Sequence, residues 1–120
     1  MINDEQKEPY DLEDRTFNFA KASRLFVKDL PRTIANIEDV KQFVRASGSV
    51  GANYIEANEA IGKKDFMMKI KICRREAKES GYWLRLIDTG EGLAPKRDAL
   101  VAESAELMKI FGAIVRKSEE

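Results

Sequence analysis

The sequence contains no histidine. That absence removes the usual serine and cysteine triads, which need an imidazole base, and every histidine-ligated metal site. A single cysteine, Cys73, leaves no intramolecular disulfide to form, in keeping with a reducing cytoplasm. No apolar run approaches the roughly 18 residues needed to span a bilayer, so no membrane partner is expected. The opening stretch, MINDEQKEPYDLEDR, is acidic and has no apolar core, unlike a signal peptide. No segment alternates polar and apolar residues for long, so no sheet is expected, and neither repeats nor low-complexity tracts are present. There is no net charge either: 21 lysines and arginines face 21 aspartates and glutamates. Overall charge therefore names no partner.

What is present is helical periodicity. Leu12, Thr16, Phe19, Ser23, Phe26 and Leu30 recur in steps of three and four, predicting a first helix from about Leu12 to Leu30 that Pro31 ends. Asn36 is the expected N-cap of a second helix, with Asp39 favouring its positive start. The apolar stripe of that helix is Val40, Phe43, Val44, Ser47, Val50, Gly51, Tyr54, Asn58 and Ile61, and Gly62 stops it. A third helix, with Asp65 near its start, carries Phe66, Ile70, Cys73, Ala77, Ser80, Leu84 and Ile87 until Gly90 and Gly92 break it. Pro95 suits the first turn of a fourth, whose stripe is Leu100, Ser104, Leu107, Phe111 and Ile114. Four amphipathic helices with short links predict an all-α, antiparallel up-down four-helix bundle. Residues 1–120 form one domain, its ordered core about 10–116, with loose ends.

The second helix has an unusual opposite face, made of Gln42, Arg45, Ala46, Ser49, Ala52, Asn53, Glu56 and Ala60. Exposed helix faces normally carry many long charged side chains. Small residues here, with Gly48 and Gly51 mid-helix, allow either close packing inside the bundle or contact with another subunit. Met68, Ile72, Trp83 and Leu86 make a second stripe on the third helix, and Phe17 projects among Lys21, Arg24 and Lys28 on the first. Such stripes predict a homo-oligomer, with Arg45, Ser49, Ala52, Asn53, Glu56, Met68, Ile72 and Trp83 as its candidate interface.

The run from Val44 to Ala60, VRASGSVGANYIEANEA, resembles the signature of the bacterial 23S rRNA intervening-sequence protein family of four-helix bundle proteins. Lys64-Asp65-Phe66, Lys71-Ile72, Arg75-Glu76-Ala77-Lys78-Glu79-Ser80 and Tyr82-Trp83-Leu84 continue the likeness, which covers about Tyr10 to Arg116. The resemblance implies an up-down bundle assembled as a ring, typically a pentamer. Some members of the family are encoded within insertions in rRNA genes, and distant relatives assist reverse transcriptases.

Candidate chemistry is sparse. Cys73 lies in the centre of a core stripe and reads as a small buried hydrophobe. The glycines of Gly48-Ser49-Val50-Gly51 follow no strand and precede no Gly-Lys-Ser/Thr, so they are no phosphate loop. Glu56 and Glu59, with Glu76 and Glu79, form two pairs that could hold Mg²⁺ as in all-α nucleotide pyrophosphohydrolases. The alternative is that these carboxylates pair with Arg45, Arg74 or Arg75. Glu56 and Glu59 project away from the core stripe, so no enzyme, metal or cofactor is expected.

The third helix offers more. From Lys63 to Arg85 there are eight bases and three acids, whereas Met1 to Asp14 holds six acids and one base. Lys64, Lys71, Arg74, Arg75, Lys78 and Arg85 fall within about 100° on a helical projection, with Tyr82 in the same sector. That pattern predicts binding to RNA or DNA through phosphates, with the tyrosine as a stacking surface. A solvated face balanced by acids such as Glu13 and Asp14, in a scaffold for a nucleic-acid enzyme or a purely structural assembly, is the competing expectation.

Overall fold

The computed structural model describes the backbone from Asp4 to Glu120 and the side chains from Leu12 onward. Four helices and, among the described residues, no strand make up the chain: α1 (Asp4–Val27), α2 (Ile34–Asn58), α3 (Lys63–Leu86) and α4 (Ala94–Glu119). Each helix packs on two others, in the cyclic order α1–α2–α3–α4, with α4 closing on α1.

The core follows the periodic stripes. Phe19, Phe26, Phe43, Val50, Ile70, Cys73, Leu84, Leu107 and Phe111 are buried along the centre. Between these large side chains sit Thr16, Ser23, Ser47, Ser80 and Ser104, all buried. Each hydroxyl bonds to a carbonyl one turn earlier on its own helix, as Ser23 does to Phe19 at 2.7 Å and Ser80 to Glu76 at 2.8 Å. A polar group satisfied within its own helix needs nothing from its neighbour, and its small volume lets backbones approach. A Cβ placed on Gly81 would lie 2.7 Å from the Ser104 hydroxyl, and one on Gly51 would lie 3.0 Å from that of Thr16. The glycines of α2 thus accommodate α1 of the same chain: Gly51 faces Thr16 and Gly48 faces Arg24.

Residue pairs run in opposite order along α2 and α3 and along α3 and α4. On α2 and α3, Arg45 meets Glu76 and Glu79, while Glu56 meets Lys69. On α3 and α4, Gly81 meets Ser104 and Arg74 meets Gly112. Arg15 joins α1 to α4 through a two-pronged contact with Glu103, at 2.7 and 2.9 Å.

Several boundaries differ from expectation. α1 begins at Asp4, well before Leu12, so part of the stretch before about Tyr10 that was expected to be loose is helical, and residues 1–3 lie outside the described residues. It ends at Val27, because residues 28–30 turn and Pro31 disfavours helical backbone at the residue before it. Leu30 is buried all the same. α4 continues to Glu119, past the expected limit near Arg116.

Asn36 is not the cap of α2. Thr33 is, its hydroxyl accepting the Asn36 N–H at 3.1 Å. Asp39 consequently lies beyond the first turn. Asn36 is itself buried, and its amide donates to the carbonyls of Pro31 at 2.9 Å and Asp88 at 2.7 Å while its oxygen accepts the Asp88 N–H at 2.9 Å. One side chain thus ties the α1–α2 link to the α3–α4 link. At the other end of α2 the helix stops at Asn58, before Gly62, so Asn58 and Ile61 leave the core stripe and Ile61 is 93% exposed. Gly62 instead precedes α3 with φ of +88°, a conformation that L side chains rarely adopt.

Candidate nucleic-acid interface

α3 separates its charges by side. Glu76 and Glu79 turn toward α2, where the Arg45 guanidinium lies 3.5 Å from Glu76 and donates to Glu79 at 3.3 Å. Glu76 is buried, and Arg75 folds back to within 3.7 Å of it. Lys69 donates to Glu56 across the same seam at 2.7 Å, and this hydrogen bond, reinforced by the carboxylate charge, holds the ammonium above its usual pKa. Glu56, Glu76 and Glu79 are thereby matched with bases of the same chain across the α2–α3 seam. Arg45 and Glu56, expected at an interface between subunits, bridge α2 to α3 within the chain and remain exposed.

The bases on the other side of α3 have no such partners. Lys64, Lys71, Arg74, Lys78 and Arg85 are exposed, and among the described residues none lies within salt-bridge distance of a carboxylate. Glu13 and Asp14, expected to balance them, are exposed on α1 and make no ion pair among the described residues. Tyr82 is half exposed, and its ring makes a T-shaped contact with that of Trp83 at 5.1 Å between centroids. Of the seven expected residues, Arg75 alone is drawn off by a carboxylate. Near the start of α3, Lys63, Lys64, Met67, Met68 and Lys71 line a shallow open depression.

The register missed one contribution. The Arg74 side chain extends over α4, and Arg116 arrives from α4 at the same place, above Gly112. Arg116 sits in the last turn of α4, where an arginine also suits the helix dipole. Nothing local to α4 distinguishes it from a helix-terminal base.

The remaining candidates take other places. Ala46 is fully buried within the chain; Ser49 and Asn53 are half-buried and bond to each other at 3.0 Å. Ala52 is exposed. Ile72 and Trp83 are half-buried beside exposed Met68 and Leu86, and the Trp83 indole N–H is enclosed without a hydrogen-bond partner. The four glutamates do not converge: among the described residues no three His, Cys, Asp or Glu side chains are grouped so as to hold a metal ion.

Cys73 is fully buried, and desolvation pushes its thiol up to about pKa 12. Because the folded pKa lies above the ordinary value, burial of the neutral thiol stabilises the fold below about pH 9, and that stabilisation is lost as pH rises toward 12. The native protein should therefore resist iodoacetamide at pH 8 and react promptly once unfolded in urea. Rapid alkylation of the native chain would contradict this burial.

An all-α bundle whose Glu56, Glu76 and Glu79 serve α2–α3 contacts, and whose third helix turns outward a face of bases without carboxylate partners among the described residues, defines a four-helix protein with one basic face. The chain belongs to the 23S rRNA-intervening sequence protein family, whose model matches residues 9–113. It is also similar to a protein of unknown function from the S23 ribosomal protein family of Bacteroides thetaiotaomicron, seen in a crystal structure. The two share 30% identity over 86% of this chain and 96% of that one, with a TM-score of 0.71. No curated protein matches the chain. No helix among the described residues is long and apolar enough to cross a membrane.

Proposed function

We propose that this protein is a non-enzymatic, cytoplasmic homo-oligomer of antiparallel up-down bundles that binds the phosphate backbone of RNA or DNA through α3. The observation that carries this reading is the separation of charge on α3. Its two central acids are held by Arg45, while Lys64, Lys71, Arg74, Lys78 and Arg85 stand together without carboxylate partners. A zero net charge gives little long-range attraction, so binding depends on this local surface. Repetition in an oligomer, a pentameric ring on the family resemblance, multiplies the phosphates neutralised per particle. Fluorescence anisotropy with single-stranded RNA and duplex DNA over a range of salt tests it. Absence of any salt-sensitive binding at tens of micromolar protein would remove the nucleic-acid reading and leave a structural assembly.

The oligomeric part rests on α3 and α2 together. Met68 and Leu86 are about half exposed beside Ile72 and Trp83, an apolar stripe that suits contact with another chain. Light scattering should give a multiple of the 13.6 kDa chain mass. Ala52 and Leu86 are exposed, so Ala52→Arg and Leu86→Arg should leave the bundle folded. Either arginine buried in a subunit interface would be unpaired, and at least one variant should dissociate the assembly at micromolar concentration. A wild-type protein with the mass of one chain would end the proposal.

A further inference from the structure

Gly112 is a buried glycine in the interior of α4 whose backbone does not call for one: it is helical and its φ is not positive. Glycine is disfavoured at such a position relative to alanine. Around the place its side chain would occupy, Arg116 Nη1 lies at 3.4 Å, Arg74 Nε at 3.5 Å and Arg74 Cδ at 3.8 Å. The two guanidinium nitrogens are therefore no more than about 7 Å apart, although they come from different helices. Among the described residues neither is within salt-bridge distance of a carboxylate. Glu119, one turn beyond Arg116, makes no ion pair with it, and Glu76 and Glu79 lie on the opposite side of α3. Lys71 and Lys78 flank Arg74 by about one turn on either side.

Two positive charges this close raise the local potential, and an anion placed between them would interact favourably with both. A phosphate accepting one charge-assisted hydrogen bond of about 2.8 Å from each guanidinium spans such a gap, and the guanidinium fork suits its geometry better than an ammonium would. We propose that Arg74 and Arg116 form a two-helix clamp for a phosphate group, seated over Gly112 in the α3–α4 groove and flanked by Lys71 and Lys78. This deepens the nucleic-acid reading, on which the identity of the phosphate rests. It fixes one phosphate of the bound strand in the groove between α3 and α4, and so brings α4 into the site.

Two measurements on the full-length protein test it. In the first, inorganic phosphate is titrated against ¹⁵N-labelled protein while the arginine Nε–Hε signals are followed. The signals of Arg74 and Arg116 should move together and saturate. No movement beyond that given by sodium chloride of equal ionic strength would overturn the clamp. In the second, binding of single-stranded RNA, with and without a 5′-phosphate, is compared for wild type, Arg116→Gln and Lys117→Gln. Lys117 is the adjacent, exposed base, so its loss changes net charge equally. Arg116→Gln should weaken binding at least several-fold and lower the salt slope by about 0.7, while Lys117→Gln should have little effect. Equal effects of the two substitutions would overturn the clamp and leave the general basic face standing. If wild type binds no RNA at all, the nucleic-acid reading falls, and the phosphate titration alone decides the clamp. A preference for the 5′-phosphorylated strand would identify a terminal phosphate as the occupant; equal binding of the two strands would identify a backbone diester.

Discussion

Reversing Lys71, Arg74 and Lys78 to glutamate together should abolish binding to single-stranded RNA, an expected loss on the order of 100-fold or more at moderate salt. All three side chains are exposed and point away from the core stripe of Ile70, Cys73, Ala77 and Leu84, so the helical circular dichroism of the variant should match wild type. The wild-type logarithmic salt slope should be near 0.7 per neutralised phosphate on single strands and near 0.9 on duplex DNA, and the variant should lose about three such increments. The control is a matched reversal of Lys41, Lys96 and Lys117, exposed bases off the proposed surface, which should retain most of the affinity. Equal loss in both triple variants would mean that charge anywhere suffices, and the α3 face would have no special standing. Tyr82→Ala then separates two modes of contact. Stacking on the half-exposed ring predicts a loss of about 1–3 kcal/mol on single strands, whereas binding to phosphates alone predicts almost none.

The second large effect is on stability. Asn36→Ala removes two donors and one acceptor that serve the Pro31 and Asp88 carbonyls and the Asp88 amide. Partner groups left unsatisfied at a part-buried site cost about 1–3 kcal/mol each at most, and solvent near the exposed Asp88 recovers some of this. A total loss of about 3 kcal/mol and a fall of roughly 10 °C in melting temperature are expected. Urea unfolding at a fixed protomer concentration measures it, since assembly makes apparent stability depend on concentration. Asn36→Asp keeps the shape but turns a carboxylate toward two carbonyl oxygens, so it should do no better than alanine. A loss below about 0.5 kcal/mol for Asn36→Ala would show that the link-to-link bonds are dispensable.

Asn36 also marks where reading the chain alone reaches its limit. Asparagine before an apolar stripe is a good helix cap by local rules, yet its partner Asp88 is 52 positions away and no local pattern points to it. The core stripes were legible because burial repeats with the helical turn. Every position of the first stripe from Leu12 to Leu30 is buried, and so is every position of the third from Ile70 to Ile87. The small residues of α2 were equally visible, but their neighbours were not. Ala46 proves fully buried within its own chain, and Gly48 and Gly51 face α1. The basic sector of α3 follows from the register alone. Which of its members remain available depends on carboxylates placed by tertiary contacts, and so Arg75, drawn to Glu76, could not be told apart from Arg74, which reaches over α4 to Arg116.

The bonds around Asn36 fasten the bundle at one end only. There the α1–α2 and α3–α4 links are stitched together, and Gly90 sits so near Pro31 that a Cβ would come within 3.1 Å of its ring. At the far end, α2 and α3 are joined by a turn whose Ile61 is almost wholly in solvent and whose Gly62 has no atom near the place of a side chain. Local opening free energies should therefore be graded along the long axis, highest beside Asn36 and lowest beside Gly62. Lys63, Lys64 and Lys71 stand at the yielding end. A ligand gripping that end would do its greatest work there, by suppressing fluctuations that the fastened end already forbids.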